Sequence, residues 1–315
     1  MPKAHKPRSG SMQYWPRKRA KRVYARVRSW PKLKDTKLAG FAGYKVGMCH
    51  SVFTDNRPNT ISKGQDVSFP LTIIECPPIK IAGIIFYKNS IAVSQILHEK
   101  PDKELKRKIQ LPKKIEPKEK EFDDIRLLIY TQPKLTTTGN KKPGLFEVAL
   151  GGSKEDKLKF AKENLGKEIN IKDVFTEGQL IDVHAITKGK GVQGPVKKFG
   201  IHVRRHKSEK TKRGPGSLGG WISQGHVMYR VSHAGKMGYH QRTHYNLQIL
   251  KIGDKPEDLN PKSGFKRYGL IKNSYILIKG SIQGPNKRII RLTHPIRKNP
   301  KIKEEAPDLR NIIVK

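Results

Sequence analysis

The sequence predicts a mainly β fold: an antiparallel barrel, interrupted by an α+β insertion and carrying long, non-globular basic extensions. Three observations predict it. Short β-branched runs recur with turn residues between them, acidic residues concentrate in one central block, and two other segments are almost free of acid.

Residues 1–37 read as a basic N-terminal extension. They hold 13 Lys and Arg against Asp35 alone, and Pro2, Pro7, Pro16 and Pro31 break any helix. Apolar residues there are too sparse for a core. The run Arg17-Lys18-Arg19-Ala20-Lys21-Arg22 has the composition of a nuclear-import or nucleic-acid patch. Residues 38–96 supply the first part of the barrel: LTIIEC (71–76), IAGIIFYK (81–88) and IAVSQIL (91–97) are strand runs separated by Pro77-Pro78 and Asn89-Ser90. Residues 97–175 contain 14 of the 27 acids and read as an inserted α+β domain. Its strands are FDDIRLLIYTQ (122–132) and LFEVALGG (145–152). Its helix is KEDKLKFAKENLG (154–166), with Ser153 and Asp156 in capping-box spacing, Leu158, Ala161 and Leu165 on one face, and Gly166 at the end.

The barrel resumes in 176–195 with the alternating run LIDVHAI (180–186). Residues 196–245 form a second basic extension, a Gly- and His-rich loop with a tryptophan at its tip. YILIKG (275–280) and IIRL (289–292) complete the barrel within 246–295, leaving 296–315 as a C-terminal tail. Short strands dispersed in this way suit an antiparallel sheet closing on itself rather than a βαβ array.

The 315 residues carry a net charge of +39, with only 35% apolar residues. Such a surplus repels itself unless a polyanion is present, and nucleic acid is the commonest such partner. Residues 188–245 hold 13 Lys and Arg against Glu209 alone, so with 1–37 they supply most of the surplus. The two cysteines, Cys49 and Cys76, read as buried reduced thiols. Neither an apolar leader nor an 18-residue apolar run is present, and a soluble, cytoplasmic protein is expected.

GKGVQG (189–194) matches a dinucleotide-binding glycine pattern, but no helical periodicity follows it and the only acid downstream in that segment is Glu209. Positions without a Cβ instead let backbone amides approach phosphates, with Lys188, Lys190, Lys197 and Lys198 adding charge. Six of the eleven histidines fall in 188–245, among them His226 and His240. The pairs His202/His206 and His240/His244 have helical metal-site spacing, yet no Cys, Asp or Glu accompanies them, and Arg204, Arg205 and Arg242 would repel a cation. No metal site is expected, and an enzyme reading fails for want of a carboxylate beside these histidines. A GTP-dependent factor lacks its phosphate-binding loop, and a DNA-compacting protein needs no Gly/His loop bearing a tryptophan. All three tryptophans, Trp15, Trp30 and Trp221, lie in the acid-poor segments, as base or sugar stacking requires, at about 1–3 kcal/mol per stacked base. Arg213 and Lys236 add to the basic surface around them.

Five blocks carry a family resemblance: HKPRSGSMQYWPRKRA (5–20), AGYKVGM (42–48), TKGKGVQG (187–194), GGWISQGHVM with GKMGYHQRT (219–228, 235–243), and RLTHPIR (291–297). The chain resembles the large-subunit ribosomal protein L-three family in its archaeal/eukaryotic form, most closely the archaeal. The resemblance implies a translation-protein type β-barrel, a structural rather than enzymatic role, and primary binding of large-subunit rRNA near its 3′ end, helping to nucleate assembly. It implies that the loop tip, Gly219, Gly220 and Trp221, nears the peptidyl transferase centre. It also implies ribosomal proteins L-fourteen and L-twenty-four-e as neighbours. No cofactor, membrane or small-molecule substrate is implied; structural Mg2+ associated with the rRNA is compatible with it. Lys212-Arg213-Gly214 stands where eukaryotic members carry a histidine before the tip tryptophan, so modification at that histidine does not carry over.

Overall fold

The computed structural model describes residues 7–55, 57, 59–99, 101–111, 121–208, 210–219, 225–307 and 309–314. In chain order its strands are β1 (Gly40–Thr54), β2 (Asp66–Glu75), β3 (Ile79–Lys88), β4 (Ile91–Leu97), β5 (Asp124–Tyr130), β6 (Leu145–Ala149), β7 (Glu168–Ile169), β8 (Leu180–Ile186), β9 (Val192–Gln193), β10 (Gly235–Lys236), β11 (Gln241–Gly253), β12 (Tyr275–Lys279), β13 (Ile289–Thr293) and β14 (Leu309–Ile313). The α-helices are α1 (Lys154–Glu163) and α2 (Pro195–Phe199). The described parts of Val23–Ile186 and Arg242–Lys315 form one compact unit, and those of Met1–Arg22 and Thr187–Gln241 another.

In the larger unit the ring β1-β2-β12-β11-β8-β13 closes because β13 returns to pair with β1. The length of β1 makes closure possible, since one edge serves two partners: Gly40 to Tyr44 pair with β13, and His50 to Phe53 with β14. Its other edge pairs with β2 from Tyr44 to Thr54. β8 is buried at every position and β2 from Leu71 to Glu75, so these strands are covered on both faces. β1 itself breaks strand patterning with glycines and Lys45, which is why the sequence does not announce it. Gly43 lies so close to β2 that a Cβ would sit 2.5 Å from Ile74 and 2.7 Å from the Glu75 carbonyl. The buried Lys45 ammonium donates to the carbonyls of Ile282 and Gly284.

A second sheet, ordered β4-β3-β5-β6 with β7 on β3, is antiparallel throughout. The insertion therefore draws on more of the chain than its acidic composition marks. β3 and β4, expected in the barrel, belong to this sheet, and the seam falls at Cys76 to Pro78 rather than near residue 97. Helix α1 starts as its sequence predicts, with Ser153 Oγ accepting from Asp156 N and Ala161 buried. It stops at Glu163, three residues before the predicted end.

Two buried charged groups tie the larger unit together. Glu75, fully buried where β2 ends, accepts from the Tyr268 hydroxyl, Lys272 N (2.9 Å), Asn273 N (3.0 Å) and Asn273 Nδ2 (2.7 Å). Arg291 on β13 donates to the carbonyls of Ala25 (3.1 Å) and Glu147 (2.6 Å), with the Phe146 ring 4.3 Å and the Trp30 ring 5.4 Å from its guanidinium carbon. Its donors go to carbonyls, so burial pulls its pKa below the arginine range. Residues 23–37 are thereby no free tail. Tyr24, Ala25 and Val27 are buried, Tyr24 packs 5.7 Å from Phe146, and Trp30 packs against the core. The expectation that apolar residues were too sparse to bury misjudged them; a few large anchors on irregular backbone suffice.

Both cysteines are free and buried, and burial pushes the Cys49 thiol up to about 11. Two histidines are held neutral. His184 bonds Thr243 Oγ1 (2.9 Å) and Thr293 Oγ1 (3.1 Å), and burial, with Arg291 nearby, lowers its pKa to about 4. His294, packed on Phe175, is lowered to about 4 by burial and by Lys37. In the unfolded chain both titrate near 6.5, so between pH 6.5 and 4 the unfolded state binds more protons and stability falls with acidification. Each contributes at most about 1.4 kcal/mol per pH unit. Asp182, raised by burial, acts in the opposite sense at low pH. Urea unfolding of the free chain is therefore expected to show a lower midpoint at pH 5 than at pH 7, with a shallower fall in His294→Gln. A midpoint unchanged over this range would show that these rings are not held neutral.

Candidate nucleic-acid interface

The smaller unit has the composition of a polyanion-binding element taken to its limit. Residues 1–22 and 187–241 contain 20 Lys and Arg and one acid, Glu209, which lies outside the described residues. Ion pairs cannot hold such a unit together, and its contacts are of other kinds.

The backbone supplies the first. Thr187 to Gln193 run antiparallel to Gly235 through His240, with Thr187 N to His240 O at 2.9 Å, Lys190 N to Met237 O at 2.9 Å, Met237 N to Gly191 O at 2.9 Å, and the short ladder of β9 with β10. The tail joins this ribbon. Ala20 N donates to Tyr239 O (2.8 Å), and His240 Nδ1 is 2.8 Å from Lys18 O, so that nitrogen carries the proton. Arg8 Nη2 donates to Arg230 O at 2.9 Å.

Aromatic packing supplies the second. The Trp15 ring stacks on Phe199 at 6.1 Å and meets Tyr229 edge-on at 6.2 Å. The Arg17 guanidinium carbon lies 5.2 Å from the Trp15 ring and 4.6 Å from Phe199. Arg17 also donates to Ser11 O at 3.1 Å, turning the chain onto its own tail. Gly10, at φ +88°, permits this fold-back, since a Cβ there would lie 2.7 Å from the Phe199 ring. Phe199 is the last residue of α2, which starts at Pro195 and closes on Gly200 at φ +68°. The segment after the glycine pattern was read as lacking a helix; five residues are too few to show periodicity. Lys198 beside them has its pKa lowered, by partial burial and then by the Arg17 charge.

The sequence-predicted site residues divide four ways. Lys18, Arg19, Arg22, Lys188, Lys190, Lys197, Arg204, Arg205, Arg213, Gly219, His226 and Lys236 are exposed in the smaller unit. Trp15, Arg17, Lys198 and His240 are partly or wholly buried in it, so they build the surface more than they present it. Trp30 and Arg242 belong to the larger unit, and Gly220 and Trp221 lie outside the described residues. Sequence reasoning missed Phe199, Tyr229 and Gly10. Tyr229, at 69%, and Tyr14, at 55%, are exposed there, whereas Trp15 is packed. A lone Phe between Gly194 and Gly200 was the available signal.

No group of three or more His, Cys, Asp or Glu able to hold a metal occurs among the described residues. Nor is any helix among them long and apolar enough to cross a membrane.

Comparison with known proteins agrees with this chemistry. The family model described as ribosomal protein L3 matches residues 1–108 and 86–312. The chain is 42% identical over 333 aligned residues to large ribosomal subunit protein uL3 of Methanobrevibacter smithii, covering 100% of this chain and 98% of that protein. It is 45% identical to the protein of the same name from Methanosphaera stadtmanae (98% and 97% covered) and 44% identical to that of Archaeoglobus fulgidus (94% and 93%).

Replacing Trp15 with Ala is expected to release the tail without unfolding the larger unit. A half-buried Trp→Ala change costs about 2 kcal/mol of docking, roughly 30-fold in the open population. Limited trypsin digestion should then cut at Arg17 to Arg22 faster by that order. Unchanged cleavage would mean that the stack does not hold the tail.

Proposed function

The chain belongs to the ribosomal protein L3 family, and from that premise we propose that its smaller unit is the rRNA-binding face of a structural large-subunit protein that helps nucleate subunit assembly. The family is structural, and the chain is a ribosomal constituent rather than an enzyme. One observation carries the finer reading: 20 cations and a single acid are gathered in a unit whose tail and loop are already docked by uncharged contacts.

Exposed Lys188, Lys190, Lys197 and Lys236 line the two strands of the ribbon and its helix, and Arg204, Arg205 and Arg213 the loop beyond. Such a surface binds phosphates by charge and orients by hydrogen bonds, while base contacts come from exposed aromatics such as Tyr229. Trp15 and His240 act by bracing. The five-block resemblance supports an early binding site near the 3′ end of the large-subunit rRNA. It also supports a loop tip at Gly219, Gly220 and Trp221 directed toward the peptidyl transferase centre, where the protein braces rRNA, and L-fourteen and L-twenty-four-e as neighbours.

The test is affinity for large-subunit rRNA across a salt series, with the full chain and a chain lacking residues 1–22. The full chain should show a steep slope of log K on log salt. Removing eight Lys and Arg should flatten it by about 3, the loss of some four phosphate contacts. Equal affinity for an unrelated RNA of the same length would sink the specific site. Trp221→Ala should leave the thermal midpoint of the free chain unchanged while lowering its incorporation into subunits; a large loss of stability would place that ring in a protein core.

A further inference from the structure

A cleft of about 560 Å³ opens in the larger unit, between the segment around Trp30 to Lys37 and the RLTHPIR turn after β13. Its volume lies in the range of sites that enclose small ligands, roughly 300–1,000 Å³. The unit's own core does not explain its lining. Trp30 and His294 form part of the wall, and Lys32, Lys34, Lys37 and Lys298 surround them.

Charge is distributed unevenly around this rim. Lys37 pairs with Asp35 at 3.1 Å and Lys298 with Glu304 at 2.8 Å. No carboxylate pairs with Lys32 or Lys34 among the described residues, and both are exposed. The wall has donors to spare. Trp30 Nε1 is buried and hydrogen-bonds to nothing. In His294 the tautomer is fixed from outside: Thr176 N donates to Gln179 Oε1 (3.2 Å), which turns the Gln179 amide nitrogen to His294 Nδ1 (2.9 Å). Nδ1 therefore accepts, and Nε2 carries the proton of a ring that burial keeps neutral. Nε2 finds no partner in hydrogen-bond geometry, although the Leu38 and Val174 carbonyls approach it, so Trp30 is the cleaner donor. An aromatic wall, the Trp30 N–H without a protein acceptor and two lysines without carboxylate partners match a ligand with a flat ring, acceptor atoms and an anionic group.

We infer that this cleft takes an unpaired nucleotide of large-subunit rRNA, its base beside Trp30 and its phosphate on Lys32 and Lys34. The inference rests on the rRNA-binding reading above but adds a contact in the larger unit, apart from the cationic unit. Trp30 is then neither a free stacking ring nor a pure core residue. One side, toward Arg291, belongs to the core, and its buried indole N–H has no acceptor among the described residues of the protein.

The test uses the full chain, large-subunit rRNA, and tryptophan emission excited at the red edge. Binding should quench emission, and part of that quench should be missing in Trp30→Phe, which keeps the ring packing and removes the N–H. Lys32→Ala/Lys34→Ala, confined to exposed side chains, should weaken binding several-fold at low salt and lower the salt slope by about 1.4. A uridine tetranucleotide should elicit the Trp30 share of the quench at high concentration, and millimolar inorganic phosphate should not. Equal responses to the two would reduce the site to an anion hole and overturn the nucleotide assignment. Tight rRNA binding with the same quench in Trp30→Phe and the same slope in the lysine variant would overturn the cleft while leaving the rRNA reading intact. Failure of the full chain to bind the rRNA would overturn both.

Discussion

The governing constraint is that one unit of this protein must cohere without ion pairs. Twenty cations with one carboxylate among them cannot be neutralised from within. Mutual repulsion is therefore carried as a standing cost until a polyanion arrives. What opposes it is insensitive to charge: an antiparallel backbone ribbon, a tail laid along it, and a Trp15–Phe199 stack flanked by Arg17 and Tyr229. The side chain of Arg17 shows how far this goes. A cation is placed over two ring faces, whose quadrupoles attract its charge.

The larger unit solves the opposite problem. It has acids, and it uses a few of them deep inside. Glu75 gathers the Tyr268 hydroxyl and the 272–273 turn where β2 leaves the barrel. Arg291 reaches from the barrel strand β13 to the Ala25 carbonyl and to the Glu147 carbonyl on β6, linking barrel, second sheet and N-terminal segment through one guanidinium. Two of the five blocks that carry the family resemblance fall on such struts: Lys45 in AGYKVGM caps the carbonyls of the 282–284 turn, and Arg291 opens RLTHPIR.

How legible this was in the sequence depended on whether a residue's role was local. β2, β5, β8 and α1 were readable because their signals, β-branched runs and a Ser153 cap, are satisfied within the element. β1 and β11 were not. The glycines of β1 answer to strands far along the chain, and β11 begins with QRTHYN, whose polarity hides a strand. The charge map marked the acid-poor segments, but it could not show what their aromatics pack against. Composition puts Trp15 and Trp30 among lysines and arginines, while their ring contacts lie with Phe199, Tyr229 and Arg291. A tryptophan amid basic residues can serve as an anchor for the basic chain as readily as a platform for a base, and only distances separate the two.

That distinction bears on how such a surface binds. A disordered cationic tail would have to be ordered at the moment of binding, and the ordering entropy would be subtracted from its affinity. Here residues 7–22 are already held at Lys18, Ala20 and Arg8 by bonds to the loop segment, so much of that cost is met by folding. The exposed lysines and arginines are thus displayed from a fixed ribbon, so phosphates bound there would meet a register as well as a charge. Packing Trp15 and His240 inward takes two rings off the surface and gains a frame on which the remaining cations share one geometry.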